Sequence, residues 1–261
     1  MGQVSVYGAV LAGGTGRRMV EAEQGSSSLS DAVLPKQYMI VGDRPILIHS
    51  LSAFCKEDCF ESVMVLCPAE WVQYTEELVK KYLPHAGDHV DVLCGGETRN
   101  ETIMRAIEHI ENGNSYDSDT ILVTHDAARP FVTGRMIREN IEKVREGGAC
   151  DTVIPATDTI VVSEDGELIS GIPERRFMYR SQTPQTFRAE EFRALYNSLS
   201  DDEKETLTDA CGIFVLKGRC VHIVKGEEYN IKVTYPHDMA IAETLYNQII
   251  LNGDKDGKTD S

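Results

Sequence analysis

No apolar run in this chain approaches the roughly 20 residues that cross a bilayer. The opening MGQVSVYGAV has no basic flank leading into a long apolar stretch and a small-residue cleavage site. Neither a membrane span nor a secretory signal is expected, and the cytoplasm is the expected compartment. The seven cysteines, at 55, 59, 67, 94, 150, 211 and 220, are odd in number and scattered, which makes no disulfide framework and suits reducing conditions. Cys55 and Cys59 have no second Cys or His pair at ligand spacing, so a structural zinc site is not expected. Basic charge is also scarce. The 26 Lys and Arg against 42 Asp and Glu leave a formal charge of −16, which argues against nucleic acid or an anionic membrane as a partner. Against that background, Arg17, Arg18 and Lys36, and the pair Arg175 and Arg176, stand out as local basic clusters.

Of the 261 residues 41% are hydrophobic, enough to bury one large core, and a single domain over 1–252 is expected. Short β-rich runs alternate with longer helical ones. VSVYGAVLA, SVMVLCP, HVDVLCGG, TILVTHD and CDTVIPA read as strands, with PILIHSLSAFCK, EWVQYTEELVKKYL, RNETIMRAIEHI and GRMIRENIEKVREGG as the helices between them. That alternation predicts an α/β fold: a Rossmann-like, mainly parallel twisted sheet flanked by helices, with ligands beyond the carboxyl ends of the strands. From about residue 157 the alternation stops, and two β-like runs around Glu164-Asp165-Gly166 predict a projecting β-hairpin arm over about 157–180. Helices AEEFRALYNSLS and LTDACGIFVLKG, strand CVHIVKG and the amphipathic PHDMAIAETLYNQIILN complete the domain, and 253–261 reads as a flexible tail.

The first strand runs into YGAVLAGGTGRRM, residues 7–19. A dinucleotide G-x-G-x-x-G beginning at Gly14 needs a glycine where Met19 stands, and a Walker loop needs lysine and a hydroxyl where Arg17 and Arg18 stand. What remains is a strand ending in a loop whose glycines let backbone N–H groups approach an anion, flanked by two guanidiniums. A polyphosphate is the expected guest. The following MVEAEQGSSSLSDAVLP, residues 19–35, is too polar and small-residue-rich to order itself by burial. It reads either as a flap over the site or as an insertion with no role.

LAGGTGRRM, LPKQY, GGETRNETI, THDAARPF, QTPQTF, LTDA and NIKVT follow in order from residue 11 to residue 234. Together they resemble the cytidylyltransferases that activate sugar-alcohol phosphates, the family of the 2-C-methyl-D-erythritol 4-phosphate and ribitol 5-phosphate enzymes. GGETRNETI, VTHDAARPF and MYRSQTPQTF are similar to the ribitol-type versions. The resemblance implies transfer of a cytidylyl group from CTP to D-ribitol 5-phosphate, giving CDP-ribitol and pyrophosphate for teichoic acid or capsule synthesis. It further implies a homodimer completed through the arm and a functional link to a reductase that forms ribitol 5-phosphate.

In such a reaction one anion attacks another, so cations must be fixed where charge builds up. The resemblance places this catalytic task on Arg18 and Lys36. An ionised phosphate nucleophile needs no general base, and none is nominated. Leu11, Ala12, Gly13, Gly14, Thr15 and Gly16 on one side, and Gly96, Glu97, Arg99, Asn100 and Thr102 on the other, are the expected nucleotide-binding residues. For Asn100 and Thr102 the alternative is helix N-capping. Arg175, Lys232, Thr159, Thr183 and Thr208 are expected to position the acceptor. Arg129 either grips a phosphate or pairs with Asp126. Mg²⁺ or another divalent cation is expected, held mostly by phosphate oxygens with Asp126 as the carboxylate, although Asp126 also suits a turn cap. Three rivals stand beside this reading: the methylerythritol phosphate enzyme, a non-catalytic nucleotide-binding regulator, and an NAD-dependent oxidoreductase, the last disfavoured by Met19.

Overall fold

The computed structural model describes residues 4–14, 34–86, 89–113, 116–207 and 209–256. Thr15, Gly16, Arg17, Arg18 and Thr208, and all of the 19–35 segment except Leu34 and Pro35, lie outside the described residues. Strand β1 (Val6–Leu11) is flanked by β4 (Ser62–Cys67) and β6 (Ile121–Asp126), both parallel to it. Before β4 come a two-residue pair, β2 (Ile40–Val41) with β3 (Arg44–Pro45), and helix α1 (Ile46–Phe54). Helix α2 (Val72–Tyr82) leads to β5 (Val90–Cys94), α3 (Arg99–Glu111) to β6, and α4 (Gly134–Arg145) to β7 (Ala149–Pro155). Then follow β8 (Tyr179–Arg188), α5 (Ala189–Asn197), α6 (Asp201–Thr206), α7 (Ala210–Leu216), β9 (Val221–Lys225) and α8 (Pro236–Asp256). The seven-stranded sheet has the order β5-β4-β1-β6-β8-β7-β9.

The two-residue period of β1 divides the core. Val6 and Val10 pack with Leu47 and Phe54 of α1 and Met136 of α4, whereas Tyr7 and Ala9 face Ile103 of α3, Phe192 of α5 and Phe214 of α7. Gly8 lies against α1, where a Cβ would come within 2.8 Å of the Phe54 ring. Strands β4 and β5 extend from one side of β1 while β6 extends from the other, so the order reverses at β1. That reversal opens a crevice at the carboxyl ends of β1 and β6.

The sheet is mainly parallel, as expected, and three features add detail to it. First, it is mixed, because β8 runs antiparallel between β6 and β7. Its YRSQTPQTFR is polar and contains Pro184, unlike the apolar run of an interior strand. Yet Gln182, Thr183, Gln185 and Thr186 are buried there, and the chain finds partners for most of them: Gln185 Nε2 donates to Asp151, and Gln182 Nε2 to the Glu227 carbonyl. Second, the expected arm forms its turn at Asp165, whose carboxylate accepts the Glu167 and Leu168 N–H groups. Its flanks, however, share only the bridge Val162–Gly171. A lone hairpin buries too little to hold a ladder, and Leu168 and Ile172 remain 73% and 64% exposed. Third, α8 continues through Asp256, past Gly253 where the tail was expected to begin.

Candidate active site

The register pairs Leu11 with Asp126, so the glycine segment leaves β1 directly beside that carboxylate. The Ala12 N–H bonds Leu66 O and the Ala127 N–H bonds Leu11 O, which pins the crevice floor to both neighbouring strands. Gln37, buried in the 3-10 turn Lys36–Tyr38, donates through one amide nitrogen to Ala12 O at 2.7 Å and Gly14 O at 3.1 Å. The turn itself is anchored by Tyr38, which stacks on Trp71 at 5.0 Å and shares a 2.8 Å hydrogen bond with Thr75. Lys36 is thereby delivered to the cavity wall, where a Cβ on Gly14 would lie 3.9 Å from its Cε.

No local pattern marks Gln37, because its partners are 23 and 25 residues away. Gln37→Ala is expected to cost about 1–3 kcal/mol, from the buried Ala12 carbonyl left without this donor. It should also lower kcat by displacing Lys36. A thermal melt beside steady-state kinetics checks both, and an unchanged kcat would show that the clasp does not set Lys36.

The opposite wall is the start of α3. Thr98 and Glu101 form a capping box, and the Thr102 hydroxyl accepts the Gly96 N–H while donating to Thr98 O. Thr98 is therefore the cap, and Asn100 and Thr102 lie inside the first turn. Two residues apart means about 200° around the helix axis, so the two point to different sides. Thr102 lines the cavity, while Asn100 is buried and donates to Leu207 O. Glycine is required at position 96, where a Cβ would fall 2.5 Å from that of Glu101.

Between these walls lies a cavity of about 260 Å³, to which Leu11, Ala12, Gly13, Gly14, Lys36, Gly96, Glu97, Arg99, Thr102, Asp126 and Lys232 all contribute. Gln37, Thr98, Ala127 and Ala128, not anticipated from sequence, complete it. Asp126 is its electrostatic centre. Lys232 Nζ is 2.7 Å away, Arg99 Nη2 3.2 Å and Arg129 Nε 4.0 Å. Burial alone would raise this carboxyl, but Arg99, Lys232 and Arg129 more than offset it and hold it well below the usual range. Three cations on one carboxylate leave local positive charge in excess. Arg99 Nη1 and Arg129 Nε are moreover buried with no hydrogen-bond partner among the described residues, and of the two arginines Arg99 lines the cavity.

Buried groups behind the wall hold this cluster. Ser50 donates to the carbonyls of Ala127 and Arg129. Arg129 Nη1 donates to Asn230 O, and Asn230 Nδ2 to Thr183 O, which ties the Lys232 segment to the Asp126 turn. His125 has Nε2 3.0 Å from Arg129 O and Nδ1 2.8 Å from the Thr183 hydroxyl. A carbonyl only accepts, so the proton sits on Nε2 and Thr183 donates to Nδ1. The Thr183 oxygen in turn accepts the Asp126 N–H at 3.2 Å. Thr183 thus acts on the site through the Asp126 backbone.

Burial pushes His125 down to about 4. The unfolded chain takes up this proton below about 6.5 and the folded chain only near 4, so the His125 contribution to stability falls as pH drops through that window, by up to about 3 kcal/mol, while Asp151, raised to about 6 by burial, acts in the opposite sense. Melting temperatures of the parent and of His125→Gln from pH 7 to 4 check this: the variant is expected to lose less stability in acid than the parent.

Arg175 and Thr159 stand elsewhere, on the exposed 157–178 stretch, where Arg175 donates to Thr157 O.

The sequence profile of the 2-C-methyl-D-erythritol 4-phosphate cytidylyltransferases matches residues 6–248. The chain belongs to this cytidylyltransferase family. Two relatives, from Streptococcus pneumoniae serotype 19F and from a second strain of that species, are each named ribitol-5-phosphate cytidylyltransferase. Each is 46% identical over 240 residues, covering 92% of this chain and 98% of the relative. Solved structures share the fold. The 4-diphosphocytidyl-2C-methyl-D-erythritol synthase of Anaerococcus prevotii has TM-score 0.74 at 20% identity, covering 94% of this chain and 97% of its own. The 2-C-methyl-D-erythritol 4-phosphate cytidylyltransferase of Thermus thermophilus has 0.66 at 25%, covering 94% and 100%. As a family member the chain is a nucleotidyltransferase. No helix among the described residues is long and apolar enough to cross a membrane.

Proposed function

We propose that this cytidylyltransferase joins CTP to D-ribitol 5-phosphate, releasing pyrophosphate and CDP-ribitol. The acceptor follows the relatives at 46% identity. The observation that carries the chemistry is the cavity at the β1/β6 crevice, where cations outnumber carboxylates around Asp126 and an Arg99 N–H has no acceptor among the described residues. In the reaction an acceptor phosphate oxygen forms a bond to the α-phosphorus of CTP. The bond from that phosphorus to the bridging oxygen breaks, and the electron pair leaves with pyrophosphate. An acceptor phosphate already ionised near neutral pH needs no proton removed. Lys36 faces the glycine segment that cradles the nucleotide phosphates and stabilises their added charge, with Arg18 proposed beside it. Arg99 and Lys232, both held in place by Asp126, take the acceptor phosphate, and Gly13, Gly14 and Gly96 admit the nucleotide closely.

No group of three or more His, Cys, Asp or Glu able to hold a metal is present among the described residues. The cavity offers Asp126 and Glu97. That donor set fits a Mg²⁺ carried mainly by phosphate oxygens, with Asp126 as its protein carboxylate. The ion would neutralise phosphate charge.

Arg175 and Thr159 are proposed to serve the acceptor site of a second copy. The exposed Leu168, Ile169, Ile172 and Phe177 near them favour such packing. A cytoplasmic role in teichoic acid or capsule synthesis, downstream of a reductase, completes the reading. The test is incubation with CTP, Mg²⁺ and a panel of polyol phosphates, with product mass and phosphorus resonance recorded. CDP-ribitol and pyrophosphate are expected; CTP binding with no turnover of any acceptor would favour a regulator instead.

A further inference from the structure

We propose that Asp151, together with the Ser181 hydroxyl, accepts hydrogen bonds from the distal hydroxyl groups of the acceptor and so selects a linear polyol phosphate. This rests on the proposed function, since it assigns the far end of the same acceptor.

The placement follows from register. Asp151 of β7 pairs with Gln185 of β8, which pairs with Thr124 of β6. Asp126 lies two residues further along β6. Ala149 and Leu122 pack in the layer of α3, α5 and α7, and Asp151 and Asp126 each follow by an even number of residues, so both carboxylates rise from that same sheet face. Two strand spacings and two residues separate them, about 10 Å across and about 7 Å along. The charges of Arg99 on α3, of Asp209, the cap of α7, and of Arg129, in the turn after β6, act on Asp151. Asp151 stands outside the lining of the 260 Å³ cavity, on the same sheet face as Asp126 and within the field of the cations that would hold the acceptor phosphate.

Its chemistry is that of a hydroxyl acceptor. Oδ1 accepts from Ser181 Oγ and from Gln185 Nε2, each at 3.1 Å. Among the described residues Oδ2 accepts nothing, and Asp151 forms no ion pair. The carboxylate is half-buried while Ser181 is exposed beside it. Burial pushes the Asp151 carboxyl up to about 6, with Asp209 adding to the effect and Ser181, Gln185 and Arg99 opposing it. A carboxylate kept partly desolvated with one oxygen open and no cation is costly for a purely structural link between β7 and β8, where the Gln185 amide and Ser181 hydroxyl have neutral alternatives. It also repels a phosphate. The acceptor is therefore oriented, with its phosphate at Lys232 and Arg99 and its hydroxyl tail at Asp151.

Asp151→Ala and the isosteric Asp151→Asn test the assignment by kinetics with CTP and D-ribitol 5-phosphate. Glycerol 3-phosphate, which has the phosphate but lacks the distal hydroxyls, serves as competitor. Both variants are expected to raise the KM for ribitol 5-phosphate about 10- to 100-fold, the range for a hydrogen bond to a charged group. The KM for CTP and the inhibition constant of glycerol 3-phosphate should stay within about 2-fold, with no fall in melting temperature. Unchanged KM for ribitol 5-phosphate in Asp151→Asn, or equal weakening of both polyol phosphates, would overturn the proposal. Should the unaltered enzyme refuse ribitol 5-phosphate, the proposed function itself fails. If it accepts ribitol 5-phosphate and the variants keep the parent's KM for it, only the role of Asp151 falls.

Discussion

Lys36→Ala is expected to lower kcat by about 10²–10³-fold, the usual cost of removing one fixed donor from developing transition-state charge, while the KM for CTP changes little. Lys36 is carried by a short turn whose neighbour Gln37 clasps Ala12 O and Gly14 O and whose Tyr38 stacks on Trp71. The ammonium-bearing chain is thus set beside the glycine segment before substrate arrives. Ground-state phosphates have many other donors in this cavity, so binding should survive; the transition state carries extra charge that only a positioned cation meets. Lys36→Arg should recover part of the loss, because charge returns but the planar fork does not reproduce an ammonium. Equal losses in kcat and CTP affinity would show that Lys36 binds nucleotide without favouring the transition state.

Asp126→Asn is expected to destabilise the protein by about 3–5 kcal/mol, the cost of leaving buried partners of an ion pair uncompensated, and to abolish most turnover. The Asp126 side chain is only 13% exposed, and Arg99, Arg129 and Lys232 converge on it from three different elements. Without its charge they repel one another, and the link between α3, the turn after β6 and the Lys232 segment loosens. Its pH behaviour separates it from His125. The carboxyl is held below its unfolded value, so its contribution is fully present above about pH 4 and is lost only as pH falls towards the folded value. Between about 6.5 and 4 it is His125 that contributes an acid loss, opposed by the raised Asp151. A melt series that shows Asp126→Asn keeping the His125 slope, from a lower starting stability, supports this division. A variant as stable as the parent contradicts it.

What was legible in the sequence lies mainly along contiguous segments. The glycine segment, the Lys36 turn, the start of α3, the Asp126 turn and Lys232 each announce themselves within a few residues, and the fold collects them because each but the Lys36 turn and the Lys232 segment is attached to the carboxyl end of a strand. Strand β8 was hidden because its burial is polar: glutamine and threonine replace the apolar run that marks an interior strand, and their partners come from β6, β7 and the Glu227 turn. Gln37, Ser50 and Asn230 escaped for the same reason, since each is placed by hydrogen bonds to remote backbone, and His125 by the hydroxyl of Thr183. Asn100 shows the converse limit. Sequence adjacency grouped it with Thr102, and helical geometry turned it away.

The central claim is tested most directly by kcat/KM of the unaltered enzyme, with CTP and Mg²⁺, for D-ribitol 5-phosphate and 2-C-methyl-D-erythritol 4-phosphate in parallel. The account predicts turnover to CDP-ribitol with ribitol 5-phosphate preferred by about 10²-fold or more, as expected where a site hydrogen-bonds hydroxyls that the competitor cannot supply. Turnover of methylerythritol phosphate with none of ribitol phosphate would contradict it.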